Sequence, residues 1–161
     1  MITEAQMATV KAYILATPAL AALTSGPGTD YNTIALTLSA DANPAFRVWK
    51  TSLTRNDAMG DGFDFTQVDN LTTGQARIWE WLFIDGPMNP SVTSRRTAVS
   101  EAWKGTAAKV AVATYVLGQC KRNASQVEKL LATGTGSDAA PATMTHEGGI
   151  SLSEVASMFN V

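Results

Sequence analysis

The 161-residue chain holds one cysteine, Cys120, and one histidine, His146. A single thiol excludes a disulfide framework, and two soft ligands in all are too few for a structural zinc cage. Charge is scarce as well. Charged residues make up 16% of the chain, against roughly 25% in ordinary globular proteins. Ala, Thr and Ser fill the difference, so much of the surface is small and uncharged, which favours burial against partners over free diffusion. A net charge of −2 excludes a general basic coat for nucleic acid. Long hydrophobic runs are missing too: residues 107–118, the longest weakly polar stretch, contain Lys109 and are too short to span a bilayer. The first residues, Met1-Ile-Thr-Glu-Ala-Gln, carry an early acid and no basic region, unlike a signal peptide. The expectation is a protein made and kept in a reducing cytoplasm, with no membrane association and with Cys120 as a buried small hydrophobe.

What is present is mostly helical pattern. Thr3 and Gln6 form a capping box before Met7, Val10 and Ile14, which recur at helical spacing. Thr17-Pro18 ends that helix and opens a short second one. Ser25-Gly-Pro-Gly28 breaks the chain, and Asp30 can cap a third helix through Leu38. From residue 41 to 69 the helical period disappears. Phe46 and Val48 alternate with Arg47 and Trp49, Asp61-Gly62 is a turn signal, and Phe63-Asp-Phe65 alternates again. Two short strands or an extended loop both fit, and such a hairpin must lie on helices. Thr72 with Gln75 is a second capping box, Gly86-Pro87 ends that helix, and another runs from Asn89-Pro90 to Gly105. Thr106 opens the longest pattern, to about Thr133, with Val112, Val116, Cys120, Val127 and Leu131 on or near one stripe and Gly134 as its cap.

The predicted fold is mainly α: a small helical bundle with a short extended or β-hairpin insertion at about 41–69 and an extended C-terminal arm. Residues 1–134 would form the core. Residues 135–161 would form a spacer, without apolar side chains larger than Ala up to Pro141, ending in the apolar hook Ile150, Leu152, Val155, Met158 and Phe159. That hook reads either as an arm that docks elsewhere or as a terminus folding back on its own core.

The few charges are sorted by region. Residues 56–85 hold six acids against Arg77 alone, and residues 86–134 hold seven cations against Glu101 and Glu128. The two blocks can neutralise each other within the fold, touch nucleic-acid phosphates, or meet between copies, as a head-to-tail ring requires. The last alternative makes Asp57, Asp61, Asp64, Arg95, Arg96, Lys121 and Arg122 the candidate subunit interface. Trp49, Trp79, Trp81 and Trp103 divide similarly. Trp79 and Trp81 cannot both point inward on one helix, so the four are core fillers or include at least one interface anchor.

Catalytic patterns fail one by one. Asp57, Asp61 and Gly62 fall at positions one, five and six of a calcium loop, but Met59 and Val68 occupy positions that need oxygen ligands. Gly60-Asp-Gly62 and Gly134-Thr-Gly136 lack the rest of a nucleotide fingerprint, His146-Glu147 has no second His, and no nucleophile elbow occurs. The expectation is no enzyme, with no catalytic residue, cofactor or metal.

Four blocks carry a likeness: Asn43-Pro-Ala-Phe-Arg-Val-Trp-Lys-Thr51, Leu71-Thr-Thr-Gly-Gln-Ala-Arg-Ile-Trp79, the run from Cys120-Lys-Arg-Asn to Gly134-Thr-Gly136, and Ala140-Pro-Ala-Thr-Met144 with Glu147-Gly-Gly-Ile-Ser151. Together they resemble the head–tail connectors (adaptor or head-completion proteins) of tailed bacteriophages. The resemblance implies a mainly helical structural protein of the virion neck, assembled in the host cytoplasm. It implies a twelve-fold homo-oligomeric ring beneath the portal protein, through which DNA passes without sequence-specific binding. The further partners would be the next neck or tail protein and, through the C-terminal arm, the portal itself. A stopper or tail-completion protein and a DNA-packaging accessory that binds nucleic acid are the alternatives.

Overall fold

A computed structural model describes residues 2–26 and 29–159. Pro27 and Gly28 of the expected chain break lie outside the described residues. Along the chain come α1 (Glu4–Ala16), α2 (Pro18–Ala21), α3 (Tyr31–Ser39), strand β1 (Arg47–Trp49), α4 (Arg55–Ala58) and a 3-10 helix (Phe65–Asn70). Then follow α5 (Thr73–Trp81), α6 (Thr93–Ala102), α7 (Ala107–Gln119), strand β2 (Lys121–Asn123), α8 (Gln126–Leu131) and α9 (Leu152–Phe159). The chain is mainly α, with β1 and β2 paired in a small antiparallel sheet.

Local side-chain chemistry sets most of the boundaries. The Thr3 hydroxyl accepts from Gln6 N at 3.3 Å while Gln6 Oε1 accepts from Thr3 N at 2.8 Å, so α1 starts on its capping box. Thr72 and Gln75 do the same for α5. Two expectations change. The long helix to residue 133 stops at Gln119, and β2 intervenes before α8. The cause is a third capping box: Ser125 Oγ accepts from Glu128 N at 3.3 Å, and Glu128 Oε2 accepts from Ser125 N at 2.8 Å. Ser-x-x-Glu fixes a new helix start there whatever the apolar stripe does. Within residues 41–69, β1 pairs with β2 and not with a strand of its own segment. Phe63-Asp-Phe65 is not a strand, because Asp64 caps the 3-10 helix by accepting from Thr66 N at 3.0 Å.

Two compact units divide the chain, and the division does not fall at residue 134. Residues 1–48 with 123–161 make unit 1, and residues 49–122 make unit 2. In unit 1, Val10 and Ile14 of α1 pack with Ile34 and Leu38 of α3, Val127 and Leu131 of α8, and Val155 and Met158 of α9. In unit 2, α5, α6 and α7 surround Trp79, Trp103, Val99, Val112 and Val116, with Leu53, Ala58 and Phe63 completing the core. Phe63 and Trp79 each lie edge-on to Trp103, with ring centroids 5.4 Å apart in both pairs. This geometry suits aromatic quadrupoles.

The C-terminal segment corrects the docking-arm expectation. Residues 133–149 contain no helix, but Ile150, Val155 and Met158 are buried in unit 1's own core. The segment is pinned at several points. Thr133 and Thr143 bridge through both backbone amides at 2.8 and 2.9 Å, Gly148 N donates to Glu128 Oε1 at 2.7 Å, and Ile150 N donates to Ser39 Oγ at 3.0 Å. An eight-residue helix with apolar side chains three apart gains more by burial here than by exposure to water.

Candidate assembly surface

All seven charged residues that the sequence nominates lie in unit 2, and α7 sorts them. Its axis is about 18 Å long at 1.5 Å per residue. Near its N-terminus, Lys109 is buried and donates to Asn70 O at 3.2 Å and to Gln75 Oε1 at 3.3 Å, holding the end of the 3-10 helix there. Asp64 lines a hollow with Ala108 and Ala111 of the same end. Farther along, the Tyr115 hydroxyl accepts from Gly62 N at 3.2 Å. A Cβ at Gly62 would clash with the Tyr115 ring, so only glycine lets this acidic loop lie against α7.

Asp57, Asp61, Asp64 and Asp69 are exposed, and Arg55 is the one cation among residues 54–71. The Asp57 carboxylate accepts from the Thr54 hydroxyl at 2.6 Å, and that of Asp64 from the Thr66 hydroxyl at 2.6 Å. The Thr66 hydroxyl, with Thr66 N–H, holds the Asp64 carboxyl below its ordinary range, so both the charge and the cap persist at neutral pH. Phe65, 57% exposed, stands among these acids.

Around the C-terminus of α7 the sign reverses. The Arg96 guanidinium lies 4.2 Å from the centre of the Trp49 ring, and Lys121 Nζ lies 5.9 Å from it. Arg96 also donates to the carbonyls of Pro90 and Ser91 and to Thr93 Oγ1, which fastens the start of α6, whose N-cap Val92 supplies no side-chain cap. Lys50 donates its backbone N–H to Cys120 O at 2.8 Å. Its charge, with those of Arg96 and Lys121, acts to lower the Cys120 thiol against the larger effect of burial. Arg95 is exposed and shares a cleft with Asp85 and with Trp81, which is 60% exposed. Arg122 is half-buried on β2.

The nominated residues thus lie in one unit, the acids on the loop that packs on α7 and Arg96 and Lys121 about Trp49. Elsewhere among the described residues, Arg47 pairs with Asp138 at 3.2 Å and Lys104 with Glu101 at 2.6 Å. Sequence reasoning missed Lys50 and Phe65 as members of these groups, and weighed Trp49 only as one of four tryptophans for core or interface. The available signal was adjacency: Lys50 follows Trp49 at the end of β1, and Phe65 stands beside Asp64. The nominated hook is different. Ile150, Val155 and Met158 are core, Phe159 stacks on Tyr31 at 5.9 Å with Lys11 Nζ 5.1 Å from its ring, and Leu152 alone is exposed, at 52%.

Among the described residues no group of three or more His, Cys, Asp or Glu is placed to hold a metal ion, and no helix is long and apolar enough to cross a membrane. No family model, curated protein or solved structure matches the chain.

Proposed function

We propose that this protein is a structural subunit of a tailed-phage neck, a head–tail connector that assembles as a ring beneath the portal and extends the DNA channel. The observation that carries the reading is the sorting of charge along α7. Asp64 lies by its first turns, beside the exposed Phe65, and Arg96 and Lys121 lie about Trp49 near its end. A subunit with complementary ends suits repeated heterologous contact. Its neck assignment rests on the resemblance of the four sequence blocks. Portal, the next neck or tail protein and further copies of the chain are the proposed partners, and the virion neck is the proposed location. No catalytic step is assigned to it.

Size-exclusion chromatography of the protein with and without purified portal tests the assignment. Co-elution as one complex is expected, and separate elution at micromolar concentrations of both rejects it. The basic group around Trp49 favours a second reading, a packaging accessory that binds DNA. That reading requires affinity for a DNA duplex that falls steeply with salt.

A further inference from the structure

We infer that the acidic loop of unit 2 docks a basic, apolar segment of another protein. An apolar side chain of that segment sits against Phe65 and Val68, and lysine or arginine on either side of it faces Asp57, Asp61, Asp64 and Asp69. Surface and chemistry alike are independent of the neck assignment.

The loop is ordered without being buried. None of the six residues of the 3-10 helix, Phe65–Asn70, is buried, so its own burial is not what fixes it. Polar bonds hold its two ends: Asp64 Oδ1 accepts from Thr66 N at the start, and Asn70 O accepts from Lys109 Nζ at the finish. Three residues per turn put Phe65 and Val68 on one edge of that helix, and they are 57% and 39% exposed. The place beneath Phe65 is already filled. Its ring stands at 65° to that of Phe63, with centroids 4.9 Å apart, and Phe63 lies in the core against Trp103. A hollow of about 480 Å³, bordered by Arg55, Asn56, Met59 and Phe65, opens beside it. Clefts that take ligands have volumes of roughly 300–1,000 Å³. An exposed apolar edge next to such a hollow is a surface that docking buries.

Charge names the occupant. Residues 54–71 hold four aspartates against Arg55 alone. All four are exposed, and among the described residues no ion pair engages any of them. Lys109, at the end of the 3-10 helix, is turned onto the neutral acceptors Asn70 O and Gln75 Oε1. Two of the carboxylates are aimed in advance, since Asp57 accepts from the Thr54 hydroxyl and Asp64 from the Thr66 hydroxyl, at 2.6 Å each. Groups already held in place lose less freedom when a partner arrives. Carboxylates around an apolar surface repel nucleic acid and anionic lipid and attract a cationic partner. The apolar edge then selects, among cationic segments, one that carries an apolar anchor.

The probe is a fluorescein-labelled peptide of alternating leucine and lysine, read by fluorescence anisotropy at about 0.1 M salt, where charges act over about 10 Å. Wild type should bind it with a Kd of about 100 μM or tighter, and a peptide with serine in place of leucine at least about tenfold more weakly. Phe65→Ser removes the exposed ring, and Val68→Ser tests the same edge by a second route. D61N/D69N removes two charges whose side chains make no hydrogen bond or ion pair among the described residues, so the fold is spared. Phe65→Ser and D61N/D69N should each weaken binding at least about tenfold, and Val68→Ser should weaken it in the same direction. Leu36→Ser removes an exposed leucine of unit 1 and should leave binding unchanged. A wild type that does not bind the peptide overturns the proposal, and so does wild-type binding by Phe65→Ser or by D61N/D69N. Equal losses in Leu36→Ser and Phe65→Ser overturn it as well, because the contact is then not at this loop. Sedimentation velocity covers the remaining occupant. Self-association of wild type that Phe65→Ser abolishes would make a second copy the partner and overturn the assignment to another protein.

Discussion

Burial pushes the Cys120 thiol up to about 11, and the charges of Lys50, Arg96 and Lys121 pull it back only in part. At pH 8 about one thousandth of the thiol is then ionised, against roughly a quarter for an unfolded cysteine of ordinary pKa. The side chain is also shielded from reagents, being fully buried at the end of α7. Alkylation by iodoacetamide at pH 8 should therefore run at least about 100-fold slower in the native protein than in 6 M guanidinium. Comparable rates, read by mass spectrometry, would contradict the placement of Cys120. Trp103 shows the opposite kind of burial. Its Nε1 is buried with no hydrogen-bond partner among the described residues, and its indole stands at 84° to the Phe63 ring and 75° to that of Trp79. Its contribution is one of packing, which is why a tryptophan is tolerated where no acceptor exists.

At the scale of elements, α9 is the segment whose position the sequence leaves open. Glu154 caps it: Oε2 accepts from Ser151 N at 2.9 Å and from Ser151 Oγ at 2.8 Å, while Oε1 accepts from Ile2 N at 3.2 Å. These bonds, the Ser151 backbone first, hold the carboxyl below its ordinary value of 4.5 against a smaller opposing effect of burial. A folded-state pKa below the unfolded one means stabilisation that is present above pH 4.5 and is lost as pH falls through the lower folded value. Amide exchange at residues 152–159 should thus accelerate between pH 4.5 and 3 beyond the change in intrinsic rate. In Glu154→Gln that extra acceleration should vanish, and its persistence would assign it to another group. Residues with short-range signals were legible: the boxes at Thr3, Thr72 and Ser125 are all in the sequence, and the first two set helix starts where expected. The third was overridden by the apolar stripe from Val112 to Leu131, because periodicity over a long window says nothing about a cap inside it. Whether Val155 and Met158 meet Ile34 and Leu38 depends on contacts more than a hundred residues apart, which no local pattern encodes.

At the scale of the whole molecule, the charge blocks were legible but their placement was not. Composition separates acid from base along the chain, whereas only tertiary packing sets Asp64 by the first turns of α7 and the loop at Gly62 against Tyr115. The same tertiary information redraws the domain boundary. Unit 2 is a continuous segment, residues 49–122, set between the two halves of unit 1. Its ends are close together, since Lys50 N donates to Cys120 O at 2.8 Å in the antiparallel pair. Its core of Trp79, Trp103, Val99, Val112, Val116 and Leu53 draws on that segment alone. A segment of roughly 70 residues is small for an independent domain, yet domains of that size fold when their core is well filled. Residues 49–122 expressed alone should therefore fold. All four tryptophans lie in this segment, so Trp fluorescence reports on it directly. A single cooperative urea transition in fluorescence that coincides with loss of helical circular dichroism is expected. A fragment that is helical but gives no cooperative transition would mean that the aromatic core of unit 2 is incomplete without the flanking chain, and its independence would then be wrong.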